Sequence, residues 1–256
     1  MIADALNEAY IQRQQQRPAE WWPRASGCGG CLREHAHLLA GVKGRPNSAE
    51  TERVFELGHQ RGARLAEVAK SIWPDAECEL EIAVPIPGHE RPMLGHLDLW
   101  IPSLRTIVDF KTAGGFKMGL LVTGAEAAGE DYEMQLQAYR HGIGNKAVAI
   151  EGGRLRQARP EDLRCLLVFE AKDSDARKGV TAGQLVEVEV PHTEELEARF
   201  QARMKAIGEM LTAHNSGTLD PKAIPGMPDP KKFWRCKVKD GRPLYCSIGP
   251  DVGQCG

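Results

Sequence analysis

The chain lacks a surplus of charge of either sign: 33 Lys and Arg stand against 35 Asp and Glu, a formal net charge of -2 with a pI of about 6.5. A uniformly basic surface is therefore excluded, and a polyanionic partner would have to be met by local patches. No apolar run approaches the ~20 residues that a membrane-spanning helix needs, so no membrane partner is expected. Internal repeats and low-complexity tracts are also missing. The opening residues Met1-Ile-Ala-Asp-Ala-Leu-Asn-Glu carry no charged segment followed by an apolar one, the pattern of a secretory signal. A reducing, cytoplasmic setting is the expectation, in which cysteines act as metal ligands or buried thiols and not as disulfides. What is present is enough for a core: 256 residues, 42% of them hydrophobic, make one large domain or two small ones.

Two short segments carry chemistry. Gly95-His96-Leu97-Asp98 and Asp109-Phe110-Lys111 sit in apolar stretches that read as adjacent strands, near 93–101 and 105–112, joined by a hairpin turn at Pro102-Ser103-Leu104-Arg105. Side chains alternate along a strand, so Asp109 and Lys111 share one face while Val108 and Phe110 share the other. The same alternation separates Asp98 from Leu97, Leu99 and Ile101. Two carboxylates then converge beside an ammonium. Magnesium and manganese are bound by one or two carboxylates together with water and phosphate oxygens, and a neighbouring amine neutralises phosphate or orients a nucleophile. These are the parts of a metal-dependent phosphodiesterase.

A third segment lies in a helix expected over about 129–142, where Gln135 and Tyr139 stand four apart and hence on one face. Gly95-x-x-Asp98, Asp109-x-Lys111 and Gln135-x-x-x-Tyr139, in this order, resemble the PD-(D/E)XK nuclease superfamily. Within it they resemble the RecB-like branch of CRISPR-associated adaptation exonucleases and phage nucleases. The resemblance spans roughly residues 26–256 and implies an α/β fold, a central mixed sheet flanked by helices as in restriction endonucleases, after a helix and linker at 1–25. It implies that Asp98, Asp109 and Lys111 are the metal-binding and catalytic set and that Gln135 and Tyr139 contact substrate or organise the site. The family's first motif departs from pattern. In Phe55-Glu56-Leu57-Gly58-His59-Gln60-Arg61-Gly62 the ligand position four after Gly58 is Gly62, so His59 or Glu67 would have to substitute, with Glu79 and Glu81 as further candidates. The helix bearing this segment is expected over about 48–72, with Val54, Leu57, Leu65 and Val68 as its apolar face.

Seven cysteines complete the pattern. Cys78 and Cys165 fall in strand segments and read as buried thiols. Cys28 and Cys31 lie near the start, and Cys236, Cys246 and Cys255 near the end. Thiolate sets suit zinc or iron-sulfur clusters alike. The resemblance implies a four-iron, four-sulfur cluster held by Cys31, Cys236, Cys246 and Cys255, with Cys28 as substitute and structural zinc as alternative. Residues 26–37 and 230–256 would form this cysteine-stapled subdomain. DNA, single-stranded or with free ends, is the implied substrate and exonucleolytic hydrolysis the implied activity. Basic candidates to meet it are Arg61, Arg64, Lys117 and the group Lys231, Lys232, Arg235, Lys237 and Lys239 interleaved with Phe233 and Trp234. The competing expectation is a module of the same fold that binds nucleic acid or protein in a recombination, CRISPR or phage complex with little or no catalysis. A Gly-rich connection over 113–129 reads as a loop near the site.

Overall fold

In a computed structural model, the residues described are 2–15, 21–42, 47–124, 129–145, 147–149, 155–157, 159–224, 238–239 and 242–243. Cys236, Cys246, Cys255, Phe233, Trp234 and the basic residues from Lys231 to Lys237 lie outside them. The chain divides into two compact units, one of 1–23, 30–56 and 204–256, the other of 24–29 and 57–203.

The first unit is built on α1 (Ile2–Gln15), α2 (Leu32–Leu39) and the first turns of α3 (Ala49–Ile72). Ser48 caps α3, its hydroxyl accepting from the Thr51 amide at 3.2 Å, which fixes the start expected from the sequence. Arg53 donates to the Asn7 side chain at 2.7 Å, and the Tyr10 hydroxyl donates to Glu56, so α1 is tied to α3 by polar contacts. The Trp21 ring packs on His35 with centroids 4.8 Å apart. A two-stranded ribbon, β8 (Val238–Lys239) with β9 (Arg242–Pro243), belongs to the same unit.

The second unit is an α/β layer. Its strands β1 (Glu77–Val84), β2 (Met93–Ile101), β3 (Thr106–Ala113), β6 (Arg164–Ala171) and β7 (Leu185–Glu189) form one mixed sheet in the order β1-β2-β3-β6-β7. Between β3 and β6 come α4 (Gly115–Val122), α5 (Glu130–Gly142) and a small hairpin of β4 (Ala147–Ala149) with β5 (Leu155–Gln157); α6 (Glu194–Asn215) follows β7. The β2–β3 hairpin turns through Pro102–Leu104 and Arg105, whose φ of 51° closes the turn, and sets Leu99 opposite Val108. β3 and β6 are parallel from Thr106↔Arg164 to Ala113↔Ala171, as the helical crossover between them requires. β3 is thereby the central strand.

One face of the sheet holds the cluster Leu99, Ile101, Val108 and Leu166 packed on Ala69 and Ala76, with Phe110, Val168, Trp73 and Cys78 at its margin. The face of α3 that meets β3 corrects the sequence expectation. Val54, Leu57 and Val68 are exposed, whereas Ala66 and Ala69 are buried, and Gly62 faces Phe110, where an added Cβ would stand 3.5 Å from the Phe110 Cβ. Small residues at spacings of four and three, Gly62, Ala66 and Ala69, form the buried side of the helix. The Gly-rich connection after β3 is also not a plain loop. Its first part is the helix α4, with Met118 and Leu121 buried.

Candidate active site

Alternation along β3 sends Val108 and Phe110 toward α3 and Asp109 and Lys111 toward α5, as the sequence implies. Because β3 is central and α5 lies over it, that second face is interior: Asp109 is 1% exposed, and Lys111 only partly so. Lys111 Nζ stands 2.6 Å from Asp109 Oδ2. Gln135 Nε2 donates to Asp109 Oδ1 at 3.1 Å and to the Tyr139 hydroxyl at 2.7 Å. The spacing of four that places Gln135 and Tyr139 on one helical face is what lets a single amide bridge both groups. Both are buried, at 5% and 3% exposure, so they organise the carboxylate and are not solvent-facing contacts. Asp98 joins from β2, its Oδ2 accepting from the Phe110 amide at 2.6 Å. A side-chain oxygen here takes a strand amide two residues beyond the last β2–β3 backbone pair, Leu99↔Val108, which ties Asp98 to the Asp109–Lys111 segment of β3.

The electrostatics are those of a desolvated dyad. Burial pushes the Asp109 carboxyl up to about 6; Lys111 opposes this and the Asp98 charge reinforces it. Asp98 is raised too, by burial first, with the Phe110 amide and the Lys111 and His59 charges pulling the other way. Burial works against the Lys111 charge, but Asp109 and then Asp98 outweigh it and hold that ammonium above its ordinary value. Burial and the Asp109 charge keep the Tyr139 phenol protonated. Asp109 Oδ2 has the Lys111 ammonium as its near partner, so the charge pair itself fixes that oxygen. A buried carboxylate within the field of a second carboxylate is a donor set that fits a hard divalent cation. Among the described residues no three His, Cys, Asp or Glu side chains converge as ligands, so the protein's share would be the two carboxylates.

Gly95 and a set of α5 residues hold this geometry. A Cβ on Gly95 would stand 2.6 Å from the Ala25 Cβ and 3.2 Å from Tyr139 Cε1, so the glycine of Gly95-x-x-Asp98 is the space into which Tyr139 packs. From the other side of α5, Arg140, 1% exposed, donates to Gln137 Oε1 at 2.9 Å and to the Val190 carbonyl. Gln137 in turn donates to Glu197, which also meets His141 Nε2 at 3.0 Å. This polar seam pins α5 against the start of α6 and so fixes the register of Gln135 and Tyr139 over β3.

Sequence reasoning missed Tyr132. It lies three residues before Gln135 on the same face of α5, with the Lys111 ammonium 5.5 Å from its ring centroid and its edge against buried Phe169 at 5.9 Å. The i, i+3, i+7 series of Tyr132, Gln135 and Tyr139 was the available signal. Of the substitutes for the first motif, His59 is exposed yet near enough for its charge to favour ionised Asp98. Glu79 is exposed, with φ of 50°, between the pairs Cys78↔Leu99 and Leu80↔Leu97 and within electrostatic reach of Tyr139. Glu81 pairs with His96 at 3.5 Å in the open, and Glu67 is exposed. Arg61 pairs with Glu170 at 3.5 Å, Arg64 is exposed and Lys117 is half-buried in α4. Cys28, Cys31 and Cys165 are buried and Cys78 half-buried, all unbridged. Among the described residues no helix is long and apolar enough to cross a membrane.

Comparison with known protein families gives no match, and none of the curated proteins matches the chain. Solved structures similar to it include the crystal structure of SSO0001, at 16% identity and a TM-score of 0.48 over 96% of this chain and 93% of that one. A phage-related exonuclease from Haemophilus somnus 129PT is similar at 14% identity and a TM-score of 0.43, over 77% of this chain and 96% of that one. LHK-Exo, solved in complex with dAMP, is similar at 12% identity and a TM-score of 0.41, over 83% and 95%.

Proposed function

We propose that the chain is a metal-dependent DNA nuclease of PD-(D/E)XK type, an exonuclease acting at DNA ends or on single strands, with Asp98, Asp109 and Lys111 as its catalytic groups. The observation that carries this reading is the Asp109 carboxylate, 1% exposed, fixed by Gln135 through Oδ1 and by the Lys111 ammonium 2.6 Å from Oδ2, with the Asp98 charge acting on it as well. A structural ion pair needs one carboxylate for one ammonium. Burying a second carboxylate beside it is unfavourable unless a further positive charge arrives. Magnesium or manganese held by Asp98 and Asp109 would supply that charge, polarising a phosphodiester and lowering the pKa of water.

The protein's own groups then have distinct tasks. Gln135 locks Asp109 through Oδ1 and leaves Oδ2 toward the site. Tyr139, kept protonated, gives the Gln135 amide its second partner and fixes which way it points. Lys111, held between Asp109 and the Tyr132 ring, keeps its proton and neutralises charge on phosphate as the bond to the leaving oxygen breaks. Gly62, which in the sequence argues for a binding module that has lost its chemistry, lies against Phe110 of β3, where an added Cβ would make ordinary contact at 3.5 Å. The test is incubation of chelator-treated protein with end-labelled single- and double-stranded DNA. Shortening that needs added magnesium or manganese is expected. Binding without cleavage under every metal would favour the non-catalytic module.

The second part of the proposal is a 4Fe-4S cluster on Cys31, Cys236, Cys246 and Cys255. Cys31 is buried at the N-cap of α2. Iron and zinc content of anaerobically prepared protein tests this. Iron that is lost in Cys31→Ser is expected, zinc without iron would replace the cluster by the structural-zinc alternative, and protein free of both would end the proposal.

A further inference from the structure

We infer that Phe116 and Lys178, on the surface just beyond the catalytic strand, form a stacking platform for single-stranded nucleic acid. The inference rests on the nuclease reading and names the surface its substrate uses. Phe116 is 65% exposed on α4, while Met118 and Leu121 of the same helix are buried. A single exposed ring is ordinary. The way this one is equipped is not.

One turn along α4, Gly119 leaves its backbone bare, and the Lys178 stem lies directly on it: an added Cβ would stand 2.6 Å from the Lys178 Cβ and 2.7 Å from its Cγ. Laid in that slot, Lys178 brings Nζ to 5.6 Å from the Phe116 ring centroid. Its own backbone is set by a tight turn, closed by Gly179 at φ 66° and by Asp175, which accepts from the Arg177 amide at 3.1 Å. The turn's other carboxylate, Asp173, accepts from the Gly115 amide. Both acids are thus engaged by backbone, while Lys178 holds its charge at the exposed ring and Lys172 and Arg177, in the same turn segment, are exposed to solvent.

Cations interleaved with an open aromatic face match the alternating phosphates and bases of a single strand, and each stacked base contributes ~1–3 kcal/mol. The position suits the proposed chemistry. Phe116 follows Lys111 by five residues, a reach of at most ~18 Å. A strand with its reacting phosphate at Lys111 would therefore meet the ring within about five nucleotides, at ~3.4 Å each. Duplex DNA keeps its bases stacked on one another and offers no free face to Phe116, so the platform selects single strands or frayed ends.

The test compares full-length wild type with Phe116→Ala, Phe116→Trp and Lys178→Ala. Binding of a short fluorescein-labelled oligothymidine is followed by anisotropy in chelator, and manganese-dependent turnover of bis(p-nitrophenyl) phosphate, too small to reach the platform, is followed separately. Phe116→Ala should weaken oligonucleotide binding roughly 5- to 100-fold, Phe116→Trp should keep it, and Lys178→Ala should reduce its salt dependence. Small-diester turnover should be unchanged in all three. Wild-type binding by Phe116→Ala, or an equal loss of small-diester turnover, would overturn the platform. A wild type that binds the oligomer through Phe116 yet never turns over the small diester would refute the nuclease reading and leave the platform standing.

Discussion

Replacing Asp109 with Asn should raise the stability of the metal-free protein at neutral pH while ending its catalysis. Burial moves the Asp109 carboxyl from 3.8 to about 6 in the folded chain. The folded state then holds a proton over a range in which the unfolded chain has released it. The stability this group contributes is fully present below about 3.8 and is lost as the pH rises through about 6. The difference corresponds to ~3 kcal/mol, at about 1.36 kcal/mol per pH unit. Asn resembles the neutral acid and cannot ionise, so the variant escapes that loss. In thermal melts with chelator, the advantage of Asp109→Asn over wild type should grow between pH 4 and pH 8 by up to ~3 kcal/mol, or ~6–12 °C at ~2–4 °C per kcal/mol. Saturating manganese should stabilise wild type and leave the variant unmoved, since binding to the folded state alone raises stability. A stability difference that is the same at both pH values, to within ~0.5 kcal/mol, would refute the idea that Asp109 is held in a desolvated, cation-seeking state.

Other substitutions probe the scaffold of the site. Gln135→Ala strands both the Tyr139 hydroxyl and Asp109 Oδ1, and should lower stability by ~1–3 kcal/mol in urea titrations and cleavage by roughly tenfold, about 1.4 kcal/mol of barrier. A stable variant with wild-type cleavage would show that the amide positions nothing. Gly95→Ala forces the new methyl onto Ala25 and Tyr139 and should cost ~1–3 kcal/mol as overpacking; an unchanged melting temperature would contradict the tight packing there. Tyr132→Leu should slow cleavage without a matching loss of oligonucleotide binding, and Tyr132→Phe should restore it, because the ring face and not the hydroxyl holds Lys111. Equal rates in all three proteins would remove Tyr132 from the site.

Much of the site was legible because it lies in elements of short period. Alternation in β2 and β3 assigned Asp98, Asp109 and Lys111, and a spacing of four put Gln135 with Tyr139. Their burial was not legible. It depends on β6 lining up parallel to β3, a pairing of residues 58 positions apart in sequence, and on α5 crossing above, 26 positions from Asp109 to Gln135. The packing face of α3 was misread for a related reason. Hydrophobic periodicity favours Val54, Leu57 and Val68, whereas the buried side of the helix is formed by Gly62, Ala66 and Ala69. Glycine punctuation likewise masked α4, whose Gly115 and Gly119 serve contacts with the turn at Asp175 and Lys178 and do not break the helix.

The most direct measurement is manganese-dependent release of nucleotides from end-labelled DNA by wild type and Lys111→Ala, side by side at matched folded concentration. Lys111 is only partly exposed and is not a member of the apolar cluster on the other face of the sheet. Wild type should release nucleotides only with metal, and Lys111→Ala should stay folded and release none above the chelator control. Equal release by the two proteins, or none by wild type under any divalent metal, would contradict the assignment of this cluster as a nuclease active site.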